Sequence, residues 1–338
     1  MNAPIVFCHF NNSPYLPFVL ESARLTNPDK EIFLLGDEKN RWMGKAKDVT
    51  HLNYLDFDSG PLIEQFDRVY RTVQGPHHRH IKGGQDWLKF VFKRWFFVNR
   101  FLHSRQINSF WHFDSDTMLL VPLGEHEAKF QAFDCTEQCN GMCLNGFVPD
   151  ASFLTRYLNK INALFQDEAF LDEQQRSLDQ ERRDEAFTEM SAYRFFKEQE
   201  TVRSIHLAKP IEGNMFDDCI CQPHNMQTET LFNGKEIKKI HCSPTGEFFG
   251  VDTETLKPVR FNSLNLSWVP QQLFQVVLRQ RQKSKSDIAP ASLSESVEHF
   301  PTLAQLLWRY HFLASTIGTI KARTRSLRKG FASFFLRR

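Results

Sequence analysis

The sequence lacks several signatures that would narrow its function at once. No apolar run approaches the roughly 20 residues that a membrane-spanning helix needs. No G-x-G-x-x-G follows the first apolar segment, which argues against a Rossmann-type dinucleotide cofactor. The seven cysteines, an odd number, do not follow a zinc spacing such as C-x2-C. The region after Met1 has no basic segment followed by an apolar stretch, so we expect no secretory signal, and reduced thiols are the default.

Net charge is small, and it is unevenly placed. The 338 residues carry a net charge of only +2, which excludes the general electrostatic footprint of a nucleic-acid-binding protein. Residues 301–338 contain eight Lys or Arg and no acid, which leaves 34 basic against 40 acidic residues in the rest. The length and the 41% hydrophobic content are sufficient for one large α/β domain or two ordinary ones.

Apolar periodicity predicts an α/β fold that opens with a βαβ unit. We expect a strand over residues 4–10, a helix with Ser13 as N-cap and Pro14 at its first position, and a second strand over residues 31–35. A later helix over residues 87–102 is apolar on nearly all sides and is therefore predicted to be buried.

The most informative segment is Asp114-Ser115-Asp116, which follows an aromatic strand predicted over residues 109–113. Two carboxylates this close repel each other, and neither is stable in a core without a cation. Ligands of open α/β sheets bind at the carboxyl ends of strands, where both carboxylates can share one Mg²⁺ or Mn²⁺ with a diphosphate. An acidic turn is the alternative, but the apolar run over residues 117–121 favours a ligand site.

Other polar residues near the predicted strand ends are candidates with an open role. Arg94, in the buried helix, is expected to contact Asp116 or a bound diphosphate, unless it extends to the surface. Asp37, at the end of the second strand, either accepts a hydrogen bond from a nucleoside or is a plain turn residue. The histidines of segment 77–80 are interpreted as a polar loop that either contacts phosphate or is solvated.

The carboxyl-terminal region is predicted to be a linker, residues 281–300, followed by a basic amphipathic helical tail, residues 301–338. An apolar stripe runs from Leu303 to Ile320, and seven basic residues follow from Lys321 onwards. Such a segment can lie on an anionic membrane surface, with each basic group contributing about 1 kcal/mol. The alternative is that the stripe packs against the rest of the protein.

With these residues in place, residues 4–275 resemble a bacterial glycosyltransferase of the GT-A fold with a D-x-D motif. The segments that carry the resemblance are Ile5-Val6-Phe7, Asn12-Ser13-Pro14-Tyr15-Leu16, Ile32-Phe33-Leu34-Leu35-Gly36-Asp37, Lys93-Arg94-Trp95-Phe96, His112-Phe113-Asp114-Ser115-Asp116 and, less specifically, Thr188-Glu189-Met190 and Phe216-Asp217-Asp218. The resemblance implies a mixed, mostly parallel central sheet flanked by helices over residues 1–280. It divides that domain into a donor half, about 1–125, and an acceptor half, about 126–280.

The resemblance also implies an activity and a set of roles. The protein would be a hexosyltransferase that moves a sugar from a nucleotide sugar to a glycan or lipid-linked acceptor in cell-surface polysaccharide or lipopolysaccharide biosynthesis. It would be cytoplasmic and held on the inner face of the plasma membrane by residues 301–338. Mn²⁺ or Mg²⁺ would be bound by Asp114, Asp116 and Asn265, the last in place of the histidine that is usual in the family. The donor-binding residues would be Asn12, Asp37, Arg94, Asp114, Ser115 and Asp116, and the catalytic base would be Glu189, where the family usually has Asp, or Asp217.

Two alternatives remain open. A haloacid-dehalogenase-like phosphatase also ends a strand in D-x-D, with Asp114 as nucleophile, but Met118 stands where that motif has Thr or Val, and the first strand here ends in Cys8-His9. A catalytically inactive, membrane-associated adaptor would keep the fold and use only the tail. Nucleotide-sugar hydrolysis with metal separates the three.

Overall fold

The structure is a computed structural model that describes residues 2–76, 84–181, 185–283 and 296–312. The predicted histidine-rich loop at 77–80 and residues 313–338 of the predicted tail lie outside the described residues. The described chain forms two compact units. The first unit contains residues up to 219 and returns at 261–267, and the second contains residues 220–260 and those after 267.

The first unit contains eight α-helices among its described residues. They are α1 Leu16–Thr26, α2 Trp42–Lys47, α3 Pro61–Val69, α4 Gly84–Ser104, α5 Glu127–Phe130, α6 Ser152–Gln166, α7 Glu168–Gln180 and α8 Glu189–Gln199. Its strands are β1 Ile5–Cys8, β2 Ile32–Gly36, β3 Thr50–Asn53, β4 Phe110–His112, β5 Thr117–Leu119, β6 Cys135–Gln138, β7 Cys143–Leu144, β8 Gly146–Val148, β9 Ser204–His206 and β10 Asn214–Phe216. Two short 3₁₀ helices cover Tyr54–Phe57 and Leu123–Glu125.

A five-stranded sheet in the order β3-β2-β1-β4-β8 forms the centre of this unit. Strands β3, β2, β1 and β4 are parallel, with Ile5 opposite Ile32 on one side and opposite Trp111 on the other. Strand β8 pairs antiparallel with β4. The predicted mixed α/β class is therefore confirmed. Parallel pairing predominates in this sheet alone, because most other pairings in the described chain are antiparallel.

The core beside this sheet is largely aromatic, as the 33 phenylalanines of the sequence suggest. Helix α4 is buried on most sides, and its aromatic residues pack against neighbouring elements: Phe97 stacks on Tyr54 at a centroid distance of 5.1 Å. The Lys93 side chain extends to the edge of this core, where its Nζ pairs with Asp58 at 2.7 Å and with Asp67 at 3.0 Å. An amine on a buried helix thus reaches carboxylates at the edge, as its long stem allows.

Helix α1 does not begin where the sequence analysis expected. Its first residue is Leu16, with Tyr15 rather than Ser13 at the N-cap, and Pro17 rather than Pro14 lies in its first turn. The Ser13 carbonyl accepts the Leu16 N–H at 3.1 Å, so the preceding residues form a turn. Both prolines are compatible with the first turn of a helix, because neither has an N–H that would be left unpaired there. Their positions in the sequence therefore did not show which of them begins the helix.

Strand β15, Pro258–Asn265, supplies its last five residues to the first unit. There it pairs antiparallel with β5, with Asn265 opposite Thr117 and Ser263 opposite Leu119. Strand β10 also pairs with β15, and β7, β6 and β9 form a separate three-stranded sheet in that order. The β5–β15 pairing places the end of β15 beside the D-x-D segment.

The second unit is smaller and contains mostly short antiparallel strands. Its elements are β11 Thr228–Thr230, β12 Glu236–Lys238, β13 His241–Cys242, β14 Phe248–Val251, the start of β15, and α9 Gln271–Gln282. Residues 303–312 are also helical. Among the described residues, we find no helix that is both long and apolar enough to cross a membrane.

The described part of the predicted tail and linker packs within this second unit. Leu303 and Leu307 are fully buried, and the Leu303 N–H donates to the Ile240 carbonyl at 2.9 Å. Val297, in the predicted linker, is also buried in a small apolar cluster. Leu303 and Leu307, at the start of the apolar stripe, are therefore covered by protein, whereas Leu306 and Tyr310 are half-buried. Membrane binding by residues 313–338 stays a prediction.

Candidate active site

The carboxyl ends of the parallel strands bring several predicted residues to one edge of the central sheet. His9 follows β1, Asp37 follows β2, and Asp114-Ser115-Asp116 follows β4. Because β1 lies between β2 and β4, these ends are neighbours. This is the edge at which open α/β sheets bind ligands.

Arg94 is held between two carboxylates of this edge. Its Nη1 donates to Asp114 Oδ1 at 2.6 Å, and its Nη2 donates to Glu189 Oε1 at 2.8 Å. The exposed side-chain fractions are 11% for Arg94, 27% for Asp114 and 9% for Glu189, so the triad is mostly shielded from water. Arg94 thus binds Asp114 and not Asp116, the residue that the sequence analysis expected, and contact with a diphosphate stays a prediction. Helix α4 aims the guanidinium at the first aspartate and the start of α8 supplies the second anion.

Burial and the Arg94 charge together determine the pKa values of Asp114 and Glu189. Burial acts to raise the pKa of Asp114, but the Arg94 charge and its hydrogen bonds outweigh burial and hold that pKa below the ordinary value. Burial keeps the pKa of Glu189 raised despite Arg94. The two carboxylates in turn raise the pKa of Arg94 above its ordinary value, against the effect of burial. Asp114 is thus an ionised group whose charge is already compensated.

Asp116 has a different environment from Asp114. Its Oδ1 accepts from Asn265 Nδ2 at 3.1 Å and its Oδ2 accepts from Ser267 Oγ at 2.7 Å. Its own carbonyl accepts the Leu266 N–H at 3.0 Å. Burial and the neighbouring Asp114 charge raise the pKa of Asp116 to about 6. Among the described residues, Asp116 has neutral hydrogen-bond partners and no direct ion pair.

Asn265 is brought to this site, but its amide oxygen faces away from Asp116. That oxygen accepts from the Ser267 N–H at 3.0 Å and lies 2.6 Å from Ser267 Oγ, whose single proton serves either this oxygen or Asp116 Oδ2 at one time. A backbone N–H requires an acceptor, so this contact fixes the orientation of the amide, and its nitrogen faces Asp116. Ligation of a metal by Asn265, implied by the resemblance, would need the amide to turn and lose both contacts.

Three residues of the site were not singled out from the sequence. Asn145 donates from Nδ2 to Asp114 Oδ2 at 3.1 Å, Ser267 bonds Asp116, and His9 Nδ1 lies 2.7 Å from Ser115 Oγ. Burial lowers the pKa of His9 to about 4, so its ring is neutral at physiological pH. A histidine at the end of the first strand was a usable signal. Asn145 and Ser267 depend on strand pairings that no local pattern reveals.

The donor residues implied by the resemblance lie at this edge with unequal freedom. Asp37 Oδ2 accepts the Asn11 N–H at 2.7 Å and Asp37 Oδ1 accepts the Lys39 N–H at 2.8 Å. The carboxylate thus closes a local turn at Lys39 and joins it to the loop after β1 through Asn11, and contact with a nucleoside stays a prediction. Asn12 is exposed beside it, and Ser115 is half-buried.

The two acids considered as a catalytic base are both withdrawn from solvent. Glu189 is 7% exposed and bound to Arg94, and its carbonyl accepts the Tyr157 hydroxyl at 2.6 Å. Asp217 is fully buried, and its Oδ2 accepts the Asn265 N–H at 3.0 Å. Burial argues against Asp217 as a group that reaches an acceptor. Glu189 is tied to Arg94, and its role as base stays a prediction.

The side chains at this edge supply part of the ligand set that a divalent cation needs. In the part of the chain that the structure describes, no group of three or more His, Cys, Asp or Glu side chains is arranged to hold a metal. The D-x-D carboxylates nevertheless supply hard oxygen atoms, and the raised pKa of Asp116 marks a negative charge that lacks a partner. Two carboxylates fit Mg²⁺ or Mn²⁺ when substrate phosphates and water complete the coordination.

Comparisons with known proteins add little to this geometry. No family model matches the chain, and no curated protein matches it. Among solved structures, one described as PaToxG glycosyltransferase is similar over 54% of this chain and 69% of its own, with 12% sequence identity and a TM-score of 0.30. A likeness at that TM-score supports no conclusion, so the functional proposal depends on the site itself.

Proposed function

We propose that this protein is a metal-dependent glycosyltransferase that moves a sugar from a nucleotide sugar to a glycan or lipid-linked acceptor. The observation that carries the proposal is the unequal treatment of the two aspartates. Asp114 is neutralised by Arg94, whereas Asp116 is half-buried beside Asp114 without a cation of its own among the described residues. A divalent ion bound to a diphosphate would complete this charge balance.

The role of the metal follows from the reaction. When bound, Mg²⁺ or Mn²⁺ would neutralise the charge that develops on the leaving diphosphate. Asp116 would hold the ion through an oxygen, with Asp114 Oδ2 beside it in place of the contact with Asn145. Arg94 keeps Asp114 ionised and fixes its orientation, because its guanidinium is clamped on the far side by Glu189. Arg94 is in this proposal a positioning residue for the metal site.

Ser115 would contact the donor directly in this proposal. It lies between the two aspartates, is half-buried, and has its hydroxyl 2.7 Å from His9 Nδ1. A neutral imidazole that accepts a hydrogen bond from the Ser115 hydroxyl would leave the serine oxygen to accept from a sugar hydroxyl. Asp37 and the exposed Asn12 lie at the same strand edge and would border the nucleoside.

The carboxyl-terminal segment bears on the acceptor and on the location of the protein. A glycan or lipid-linked acceptor of cell-surface polysaccharide synthesis would suit a protein that has a basic carboxyl-terminal segment. Leu303 and Leu307 are buried, so binding to an anionic membrane would fall to the basic residues beyond 312. Deletion of residues 313–338 should abolish sedimentation with anionic liposomes, and equal binding by both forms would remove the tail from the proposal.

Donor hydrolysis tests the activity. Nucleotide sugars with UDP, GDP, CMP and dTDP are incubated with the full chain, with Mn²⁺ or with EDTA, and nucleotide release is measured. We expect metal-dependent release with one donor class and loss of release in Asp116→Asn. Asp172→Asn, on the exposed face of α7, is the matched control and should retain activity. Release that persists in EDTA would contradict the metal requirement, and hydrolysis of phosphomonoesters instead would favour the phosphatase.

A further inference from the structure

The second unit contains a cavity of about 300 Å³ that belongs to no part of the proposed active site. Its lining includes Lys239, His241, His299 and Arg309, together with one acid, Glu298. Lys239 is half-buried, whereas His299, Arg309 and Glu298 are exposed at the rim. Apart from its two histidines, the lining contains two cationic side chains, Lys239 and Arg309, and one acid, Glu298. Neither Lys239 nor Arg309 forms a direct ion pair with another described residue, although Glu229, which accepts from the Thr302 hydroxyl, is close enough to interact with the Lys239 charge.

His241 supplies a second and independent observation. The side chain is 1% exposed, and its Nδ1 lies 3.1 Å from the Phe300 carbonyl, which can only accept. Nδ1 therefore carries the ring proton. The other ring nitrogen, Nε2, is buried and has no hydrogen-bond partner among the described residues. A buried polar atom without a partner costs about 1–3 kcal/mol, which a ligand at this position would recover.

We propose that this cavity binds a phosphate group. Lys239 and Arg309 would compensate the anion, with the guanidinium able to bind two oxygens at once. His241 Nε2 would accept from a protonated phosphate oxygen or, once protonated itself, donate to an unprotonated one. A phosphomonoester loses its second proton near pH 6, so both forms are available near neutrality. A carboxylate ligand of the same charge would offer fewer oxygens to these three groups.

The cavity also lies where the chain enters its basic carboxyl-terminal segment. Pro301, Thr302 and Gln305 are part of the lining, and the helical segment 303–312 begins there. Thr302 and Gln305 bond each other at the start of that helix, which fixes the wall of the cavity. The phosphate could belong to a soluble molecule or to a lipid headgroup, and the experiment separates these two sources.

Histidine-labelled full-length protein is titrated with inorganic phosphate, and the ring nitrogens are followed by long-range ¹H–¹⁵N NMR. We expect saturable movement of the His241 Nε2 resonance. Lys239→Gln and Arg309→Gln should each raise the dissociation constant at least about tenfold, as the loss of one charged hydrogen bond requires. Lys257→Gln is the matched control in the same unit, with an exposed side chain outside the cavity, and should bind as the parent does. Circular dichroism confirms that each variant is folded.

Vesicles of phosphatidylcholine, with or without phosphatidic acid, form the second arm. Saturable phosphate binding without a vesicle preference assigns a soluble phosphate, whereas tighter binding to phosphatidic acid that requires Lys239 assigns a lipid headgroup. Both outcomes support the site. The proposal is overturned if neither probe moves His241 Nε2, or if Lys257→Gln weakens binding as much as Lys239→Gln.

Discussion

The two aspartates of the D-x-D motif are expected to have opposite effects on stability. Asp116 has a folded-state pKa of about 6, against 3.8 in the unfolded chain. Its ionisation therefore opposes folding, and this cost is fully present above pH 6 and disappears as the pH falls below 4. The pKa rises by about two units, and at 1.36 kcal/mol per unit this sets an upper limit of about 3 kcal/mol on the destabilisation. Partial exposure of the side chain reduces this value, so we expect about 1–3 kcal/mol.

Asp116→Asn removes that cost and keeps the geometry. The new amide oxygen can accept from Asn265 Nδ2, and the new amide nitrogen can donate to the Ser267 hydroxyl. The metal-free variant should therefore be more stable than the parent at pH 7.5 and no more stable at pH 4. Asp114→Asn should be less stable at pH 7.5, because it removes one of the two charges that compensate Arg94.

Urea unfolding in EDTA at pH 7.5, 6 and 4 measures the difference between each variant and the parent, which cancels the titration of groups that do not interact with the substituted residue. Mn²⁺ should then stabilise the parent and leave Asp116→Asn unchanged, since only a protein that binds a ligand gains stability from it. An Asp116→Asn variant that is less stable than the parent at pH 7.5 would refute the electrostatic reasoning, even if it were inactive.

Two further predictions concern the neighbours of the motif. Arg94→Met should lower the free energy of unfolding by about 3–5 kcal/mol at pH 7.5, because Asp114 and Glu189 lose their shared cation. Arg94→Lys should restore little of this stability, since one ammonium does not reproduce the two-sided fork of the guanidinium. Urea midpoints within 0.5 M of the parent for either variant would be inconsistent with that account. His9 should stay neutral down to about pH 5. Since its folded pKa of about 4 lies below the unfolded value, its contribution to stability is lost as the pH falls from 6.5 to 4. An NMR titration that gives a pKa above 6 would contradict the burial of His9 beside Ser115.

The sequence was sufficient for the elements that a local pattern defines. The aromatic strand before Asp114 and the apolar helix that contains Arg94 could be predicted because both have a clear periodicity. Their proximity could be anticipated too, since a buried arginine must meet an anion. The D-x-D motif at a strand end indicated the edge of the sheet where the site lies.

The partners that distinguish Asp114 from Asp116 could not be predicted from local patterns. Asn145 reaches Asp114 through the turn before β8, and Ser267 reaches Asp116 because β15 pairs with β5. Strand pairing across such separations depends on tertiary packing. For the same reason the sequence did not reveal that Asn265 would present its nitrogen to Asp116.

The return of residues 261–267 to the first unit affects how the protein is made. Asp116 precedes Asn265 by 149 positions and Ser267 by 151. At 5–20 residues per second, a ribosome needs about 8–30 s to add that length of chain. Throughout that interval the nascent protein holds Asp116 without the two side chains that bind it in the finished structure. A product that terminates before residue 261 would keep the D-x-D motif and lack these partners, so a fragment released early by the ribosome should not reproduce the site of the complete chain.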